Sequence, residues 1–514
     1  MRKFMNIFAA ALVMLAAASC EKNEVLPDNN SEGKVVTLKA SINNNGGTKT
    51  SLGGKEGDEY PVLWSEGDEI ALIQGTNVCV LTLSDGIGEK SATFTGTLVD
   101  GFNLNNDYTA FYPASAVDEN GNISIPDTQI YAEGSFGLGA MPMAAIKSDE
   151  TLNFMNLFGV LKLTLTGNEN ETVQSVRVAS SNGTIMNGPI ELSLAENSSI
   201  TANMGGQLYA NQMVTLNCNN GVALTQSGVQ FLISVPAGQH NFCVTVITKD
   251  ENNNTKTYYK KTANTNSFTA SSIKNMPPLS LSGMVMGTDN SYVENGVYLG
   301  EGVALPKKGG GTYTWAPVNC GTDDNNKYGL LYQWGRKYGQ GTGEVTVKRD
   351  KCSLADGSDE NNKNIFYGVG SDDWVQGSIT TGLWNSGSEH NPCPDGWRVP
   401  TLVEFQSAYY YDTWFQSGYT VEKDGDDLIG HKFYGYTTDF TGNYIFLPAV
   451  GMRNNSDGIY YNNVEYYDEG YYWTSDLDSR YKSGHYVNLE SLQPYSGSVY
   501  WSRAGGLSVR CIKE

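Results

Sequence analysis

Residues 35–42 read Val-Val-Thr-Leu-Lys-Ala-Ser-Ile, with an apolar residue at every second position from residue 36 onward. Successive side chains of a β-strand point to opposite faces, so this alternation predicts a strand with one buried face. We expect the core-facing residues to be Val36, Leu38, Ala40 and Ile42. The same period of two recurs at residues 161–165 and 242–246, and no long stripe of period 3.6 appears. The first half of the chain is therefore predicted to be β-structure.

Turn signals and composition agree with a mainly β protein. Clusters of Asn, Asp and Gly at residues 44–47, 118–121 and 182–183 separate the alternating segments, as in antiparallel structure. The chain has 514 residues, of which 39% are hydrophobic, 17% are charged and 58 are Gly. That length favours about three domains, and that composition is typical of a folded, loop-rich protein and not of a disordered one.

Charge and missing motifs exclude several classes of function. With 34 basic and 55 acidic residues the formal net charge is -21, which repels nucleic-acid phosphates, so we expect no nucleic-acid partner. The four His lie far apart in sequence, and no CxxC, HExxH, GxSxG, GxGxxG or P-loop pattern is present. The sequence therefore favours a protein that is not an enzyme, without a catalytic residue or an organic cofactor.

The N-terminus predicts export. Arg2 and Lys3 precede an apolar stretch at residues 4–18 that is short for a spanning helix, which is typical of a signal peptide covering residues 1–19. The stretch ends in Ala-Ala-Ser-Cys at residues 17–20, which resembles a bacterial lipobox, and the resemblance implies lipidation of Cys20 and an outer-membrane anchor. Ala17 stands where that pattern prefers Leu, and ordinary signal cleavage is the alternative. Residues 20–33 are polar and aperiodic, as in a flexible tether.

Five further pieces, in this order, carry a resemblance to the fimbrillin family of type V pilus subunits and surface lipoproteins of Bacteroidetes. They are Trp-Ser-Glu-Gly-Asp-Glu-Ile at 64–70, Phe-Tyr-Pro at 111–113, Phe-Met-Asn-Leu-Phe-Gly-Val-Leu at 154–161, Val-Pro-Ala-Gly at 235–238, and Met276-Pro277. The resemblance spans about residues 34–282. It implies two transthyretin-like β-sandwich domains, at 34–148 and 149–282, joined near residues 147–150.

The resemblance also implies a mode of assembly. In fimbrillins a protease removes the first strand of the precursor, and a terminal strand of another subunit fills the vacated groove. Carried over to this chain, the removable strand holds Val36, Leu38, Ala40 and Ile42. Family precursors are commonly cut after Arg, but this chain has none between Arg2 and Arg177, so Lys49 is the candidate cleavage site.

The last part of the chain differs in its aromatic content. Of the nine Trp and 31 Tyr, eight and 24 lie after residue 290, so we place a linker at residues 283–292 and a further domain at 293–514. Resemblance to the Fibrobacter succinogenes major paralogous domain is carried by the following segments: Tyr328-Gly329, residues 332–336, Asn-Pro-Cys-Pro-Asp-Gly-Trp-Arg-Val-Pro-Thr at 391–401, residues 447–451, 472–475 and 506–511. It implies an α+β fold related to C-type lectins, with short strands, one or two helices and ordered loops.

Local signals inside this segment are specific. Thr401 followed by Glu404 predicts a helix N-terminus with a capping box. We expect Trp334, Trp397 and Trp473 to be core residues. Removing Cys20 leaves seven Cys in an exported chain, so at least one thiol stays unpaired in the monomer. Cys320, Cys352, Cys393 and Cys511 allow three pairings, among which we favour Cys393 with Cys511.

Ligand contacts are predicted on exposed tyrosines. Consecutive rings in an extended segment cannot all face inward, and flat rings suit glycan or protein recognition. The candidates are Tyr409, Tyr410, Tyr411, Tyr460, Tyr461, Tyr466 and Tyr467.

Acidic loops at residues 323–324, 356–360 and 372–373 offer the oxygens that Ca²⁺ prefers, although such runs are more often solvated turns. The Glu-Pro-Asn or Gln-Pro-Asp triplet of calcium-binding lectins is absent, since residues 493–495 read Gln-Pro-Tyr. Calcium therefore stays an option, and no metal-ligating residue is assigned.

Together these patterns predict a lipidated precursor of a pilus subunit, used as a tip adhesin. Its partners would be other fimbrillin subunits through strand donation, a host or bacterial surface glycan or protein, and the outer membrane through its lipid. Two alternatives remain open: a surface lipoprotein that does not polymerise and binds a glycan or host protein directly, and an enzyme on a scaffold like that of formylglycine-generating enzymes.

Overall fold

The computed structural model is mainly β. It describes residues 33–42, 51–52, 62–148, 151–194, 200–205, 209–377, 382–408, 410–411, 416–417, 419–424, 428–437, 440–462, 470–478, 483–490, 493–494 and 499–514. Cys20 and Lys49 lie outside these residues, as do Tyr409, Tyr466 and Tyr467. No helix in the described part of the chain is both long and apolar enough to cross a membrane.

The first unit is built around a ring of strands. The strands up to residue 156 are β1 Val35–Ile42, β2 Ser51–Leu52, β3 Val62–Leu63, β4 Glu69–Gln74, β5 Asn77–Asp85, β6 Ser91–Thr97, β7 Thr109–Tyr112, β8 Ile123–Ile125, β9 Thr128–Ala132, β10 Ser135–Phe136, β11 Met143–Ser148 and β12 Thr151–Asn156. Seven of them close into a barrel in the order β1-β12-β11-β7-β4-β5-β6. The join expected near residues 147–150 thus lies between two strands of this barrel.

Aromatic rings fill the barrel. Trp64 is fully buried, and its ring meets Phe94, Tyr112 and Phe154 edge-on, at centroid distances of 4.9, 5.8 and 5.4 Å. Edge-to-face contacts at such distances are favourable beyond the area they bury. The Tyr112 hydroxyl donates a hydrogen bond of 2.7 Å to the buried carboxylate of Asp68. Three of the sequence pieces quoted above therefore meet in one core.

The second unit is a sandwich of two sheets. Its strands are β13 Phe158–Thr166, β14 Thr172–Ser180, β15 Gly188–Leu194, β16 Ile200–Met204, β17 Met213–Ala223, β18 Val229–Pro236, β19 Gly238–His240, β20 Phe242–Lys249, β21 Thr255–Lys261, β22 Asn266–Phe268, β23 Ile273–Asn275, β24 Leu279–Ser280 and β25 Val285–Met286. One sheet has the order β10-β9-β17-β14-β20-β21-β25, and the other has β18-β13-β23 with β24 also on β13. The inward residues of β13 and β20 share one apolar core, as their alternation predicts.

The chain passes from the first unit to the second and back before residue 156. Strand β9 lies parallel to β17, and β8 pairs with β15, so residues 123–136 belong to the second unit by their hydrogen bonds. Strand β25, inside the expected linker 283–292, likewise pairs with β21. An apolar cluster that includes Phe111, Met141 and Phe158 fills the space between the two units.

The third unit consists of short strands and two short helices. They are β26 Ser291–Glu294, β27 Val297–Glu301, β28 Val303–Pro306, β29 Thr312–Trp315, β30 Leu331–Gln333, β31 Thr346–Val347, α1 Leu354–Gly357, β32 Ile365–Phe366, β33 Trp397–Arg398, α2 Leu402–Ser407, β34 Tyr410–Tyr411, β35 Gln416–Ser417, β36 Tyr419–Asp424, β37 Leu428–Phe433, β38 Ile445–Pro448, β39 Met452–Arg453, β40 Tyr460–Tyr461, β41 Gly470–Asp478, β42 Ser483–Glu490, β43 Gln493–Pro494, β44 Val499–Ser502, β45 Gly506–Ser508 and β46 Ile512–Lys513. The predicted capping box is present at the start of α2, because Thr401 and Glu404 each accept the other's backbone N–H. Trp334, Trp397 and Trp473 are buried, as expected.

Buried arginines hold the loops of this unit. Arg336 donates hydrogen bonds to the backbone carbonyls of Gly357, Asn362 and Ile365, and Arg510 donates to those of Ala316 and Phe446. Burial lowers the pKa of both guanidinium groups to about 10, so both remain cationic at neutral pH. Each charge is matched by carbonyl dipoles, which fixes irregular segments without a sheet.

A disulfide joins Cys393 to Cys511, the pairing favoured above, with a Cα–Cα distance of 5.9 Å. Cys79, Cys218, Cys243, Cys320 and Cys352 are free thiols. The bond ties the turn before β33 to the end of the chain, across 118 residues.

This pairing predicts a thiol count. A chain lacking residues 1–20, denatured without reductant, should show five reactive thiols, because five Cys are free. Titration with a thiol reagent in denaturant measures the number. Cys79→Ser should lower the count by one, and seven thiols in the unreduced starting protein would refute the disulfide.

Candidate functional site

Two features of the structure are candidates for function: the strand β1 and a cleft in the third unit. Strand β1 is hydrogen-bonded on both edges. It runs antiparallel to β6, with Val35 opposite Thr97 and Ser41 opposite Ser91, and parallel to β12, with Lys39 opposite Thr151 and Ile42 opposite Phe154. It is thus the strand that closes the barrel between residues 91–97 and 151–156.

The side chains of β1 divide into two faces. Val36, Ala40 and Ile42 are buried in the core around Trp64, and Leu38 packs partly buried against it. The opposite face is exposed, with 66% of Val35 accessible to solvent. Without β1 the edges of β6 and β12 would lose their partners, and an apolar groove would open between them. These four residues are the ones that the sequence analysis placed on the removable strand.

The cleft has a volume of about 900 Å³ and lies beside the disulfide. Its walls come from the β26–β27 hairpin, residues 337–339, residues 386–397 and the C-terminal Glu514, and Arg177 of the second unit completes one side. The rings of Tyr332, Tyr338 and Trp397 line it together with Asn, Ser and charged groups. Aromatic faces among polar groups suit ligands that carry both apolar and hydroxyl surface, such as sugars.

Glu294 is the most perturbed acid at the cleft. Both of its carboxylate oxygens accept the N–H of Gly321, at 2.9 and 3.1 Å, and one accepts the hydroxyl of Tyr292 at 3.1 Å. Burial nevertheless raises the pKa of Glu294 to about 7, because desolvation outweighs these donors. The carboxyl group therefore changes its charge near neutral pH.

The third unit contacts the second through an ion pair, a hydrogen bond and a pair of stacked rings. The Asp324 carboxylate forms an ion pair with the Lys261 ammonium group at 2.7 Å and accepts a hydrogen bond from the Ser181 hydroxyl at 2.7 Å. The rings of Tyr259 and Tyr298 stack with their centroids 4.7 Å apart. This contact places Arg177 at the wall of the cleft. Sequence reasoning missed the cleft, because its walls come from segments more than 300 residues apart in the chain.

Four of the tyrosine candidates from the sequence lie in described residues. Tyr410 and Tyr411 form β34, paired with residues 416–417. Tyr460 donates its hydroxyl to the carbonyl of Val450, and Tyr461, 44% exposed, donates to Asp457 at 2.7 Å. Of the described members of this set, neither Tyr460 nor Tyr461 lines the cleft. Their role in ligand contact stays a prediction.

The acidic loops are engaged within the protein. Asp323 accepts the backbone N–H of Asn325 and Asn326, and Asp373 pairs with the buried Arg503. Within the described ranges, the one grouping of side chains close enough to hold a metal ion is Cys320, Cys393 and Cys511, of which two form the disulfide. We assign no calcium ligand.

No protein-family model matches the chain, and no curated protein matches it. Among solved structures it is similar to a candidate cell adhesion protein from Bacteroides ovatus, with 12% identity and a TM-score of 0.29, over 50% of this chain and 95% of that one. A tip fimbrial protein, Mfa3 from Porphyromonas gingivalis, matches with 10% identity and a TM-score of 0.20, over 44% of this chain and 80% of that one. Likeness at such TM-scores does not establish a common fold.

The raised pKa of Glu294 predicts a pH-dependent stability. Its ordinary pKa is 4.5, so the contribution of the protonated group is complete below that pH and is lost as the pH rises toward about 7. Glu294→Gln should remove this decline, with the wild type losing about 3 kcal/mol relative to the variant as the pH rises from 4.5 past 7. Urea unfolding across this pH range measures the difference.

Glu389→Gln is the matched control, because Glu389 also lines the cleft but has a side chain that is 87% exposed. That variant should follow the wild-type curve. Equal pH profiles for wild type and Glu294→Gln would show that Glu294 titrates normally.

Proposed function

We propose that this chain is the lipid-anchored precursor of a fimbrial subunit, assembled by donor-strand exchange and located at the fibre tip as an adhesin. The observation that carries the proposal is that a single strand, β1, closes the N-terminal barrel and contributes Val36, Ala40 and Ile42 to its core. Cys20, before that strand in the sequence, would hold the precursor at the outer membrane through its lipid until assembly.

The energetics support exchange over simple loss of the strand. Burying Val36, Ala40 and Ile42 contributes on the order of 5 kcal/mol, to which pairing on both edges adds. A barrel that lost β1 would expose an apolar groove and unpaired backbone groups, which a strand of alternating apolar residues from another subunit would cover. Cleavage after Lys49, between β1 and β2 in sequence, would free β1 to leave.

The end of the chain supports the tip position. A subunit inside a fibre needs a free strand to donate, whereas the C-terminal residues here are committed to their own unit. Ile512 lies opposite Trp315 and Arg398, Leu507 lies opposite Tyr332, and Cys511 is held by the disulfide. Residues 506–513 are thus not available for donation in this fold, which favours the tip position.

The cleft supports adhesion as the role of the third unit. It is wide, polar and lined by three aromatic rings, and it lies far in sequence from the strand that would be exchanged. A surface glycan or an exposed protein segment suits it. The same cleft also favours the second candidate function, a surface lipoprotein that binds such a ligand without polymerising.

Strand exchange predicts a specific peptide competition. In a folded chain carrying one engineered protease cut at residue 49, a labelled peptide of residues 34–43 should displace β1. Ala40→Asp in the peptide should weaken binding by about 100-fold or more, because it buries an unpaired carboxylate in the barrel. Fluorescence anisotropy measures the competition.

The matched control is Lys39→Glu in the same peptide, on the exposed face of β1. It should bind within about threefold of the natural peptide, as expected of a surface substitution worth a few tenths of a kcal/mol. Equal loss in both peptides would mean that net charge, and not the buried face, determines binding. No exchange after the cut would contradict the proposal.

The tip position predicts a pattern of antibody labelling. Immunogold electron microscopy with antibodies to residues 293–514 should place label at fibre ends, because the paired C-terminus leaves no strand to donate. Antibodies to a shaft subunit are the control and should label along the fibre. Regular label from the first antibody along shafts would overturn the tip assignment.

A further inference from the structure

Three sulfur atoms meet beneath the cleft. Cys320, Cys393 and Cys511 come from three separate segments, and their Sγ atoms all lie within 4.8 Å of one another. Cys320 is fixed against the last strand, because its N–H donates to the carbonyl of Val509 at 2.9 Å. Cys393 and Cys511 share the disulfide, while Cys320 is a buried free thiol. A thiol so close to a disulfide is placed for exchange with it.

A carboxylate and two tyrosine hydroxyls that can assist such an exchange lie beside the sulfur atoms. The Cys320 Sγ lies 3.7 Å from a carboxylate oxygen of Glu294, which can accept its proton, and the Tyr332 hydroxyl donates to the same sulfur at 3.2 Å. The hydroxyl of Tyr292 lies 3.6 Å from the Cys511 Sγ. Hydrogen-bond donors stabilise the negative charge that sulfur carries during exchange.

The two disulfide sulfurs differ in their access to solvent. Cys511 is fully buried, whereas Cys393 is 7% exposed and lines the cleft, as does Glu294. A departing thiolate is better solvated at the cleft than in the core, because burial without a partner disfavours a charge. Cys393 is therefore the better leaving group of the two.

We propose that these cysteines form a thiol–disulfide exchange site, in which Cys320 displaces Cys393 from Cys511 and presents the Cys393 thiol in the cleft to a disulfide-bearing ligand. This proposal is independent of the fimbrial function.

The first step is balanced within the protein. The Cys320 thiol gives its proton to Glu294, the Cys320–Cys511 bond forms, and the Cys393–Cys511 bond breaks. Cys393 leaves as a thiolate that faces the cleft, while Glu294 holds the proton.

The second step involves the ligand's disulfide. The Cys393 thiolate attacks one ligand sulfur and forms a mixed disulfide with it. The other ligand sulfur leaves as a thiolate and takes up, through water in the cleft, the proton that Glu294 holds. The two steps require no oxidant or reductant beyond that ligand.

The surroundings of Cys320 predict a slow, base-accelerated exchange. Burial and the neighbouring charge of Glu294 raise the pKa of the Cys320 thiol well above its usual range. Asp323 adds negative charge near Glu294, and the buried Arg510 adds positive charge near Tyr292. Since the thiolate is the attacking form and ionised Glu294 takes the Cys320 proton, the rate should rise about tenfold per pH unit up to about 7, the pKa of Glu294, and level off just above it.

The test traps the exchanged form in the full, unreduced mature chain. The folded protein is incubated with iodoacetamide at several pH values, acidified, digested without reductant and mapped by mass spectrometry. We expect alkylated Cys393 together with a peptide pair linked through Cys320 and Cys511. Cys218 and Cys243, buried in the second unit, should stay unmodified and thereby report that the fold persisted.

Oxidised glutathione, a small disulfide, is the second probe. It should form a mixed disulfide at Cys393 under the same conditions.

The variants separate exchange from local opening. Cys320→Ser, or Cys320→Ala if the first does not fold, should leave Cys393 unlabelled, with a loss of at least about tenfold in labelling rate. Cys243→Ser, which removes a buried thiol elsewhere, should label like the wild type.

Three results would overturn the proposal. The first is an intact Cys393–Cys511 pair at every pH, and the second is alkylation of Cys320 with that pair retained. The third is alkylation of Cys511 together with a Cys320–Cys393 bond, which would mean that Cys320 attacks Cys393 and not Cys511.

Discussion

The closure of the N-terminal barrel by one terminal strand is the constraint on which the rest of the structure depends. Strand β1 satisfies the backbone groups of β6 and β12 at once and lays three buried side chains against the core around Trp64. Unpaired strand edges and an open apolar groove are costly in water, so a barrel without this strand needs a substitute. The same hydrogen bonds that stabilise the folded chain therefore also define what another subunit would have to supply in the proposed exchange.

The third unit is stabilised differently. Most of its strands are short. Its loops are held by buried guanidinium groups that donate to backbone carbonyls, by the Cys393–Cys511 bond and by packed indole rings. These devices fix irregular backbone at the surface, where a cleft needs it. Because Cys511 stands three residues from the chain end, the disulfide that orders the cleft also commits the C-terminus to its own sheet.

Local features and the Cys393–Cys511 disulfide were predictable from the sequence, whereas long-range strand pairings were not. The alternation of Val36, Leu38, Ala40 and Ile42 and the cap at Thr401 depend on neighbouring residues, and both appear in the structure. The excursion of residues 123–136 into the second unit depends on pairing with strands far along the chain, which leaves no local signal. The sulfur cluster and the cleft likewise combine segments that are distant in the chain. No local pattern therefore indicates that Tyr332, Tyr338 and Trp397 line one cleft.

The proposed strand exchange would change the covalent start of the chain, so the N-terminus of any assembled protein tests the proposal most directly. Fibres sheared from cells carrying the chain would be denatured, and the N-terminal peptide would be identified by mass spectrometry. The account predicts a chain beginning at Thr50, without β1 and without an acylated Cys20, while a cell-bound precursor retains both. Acylated Cys20 and an intact residue 35–42 segment on every surface copy would contradict it and would favour a lipoprotein that does not polymerise.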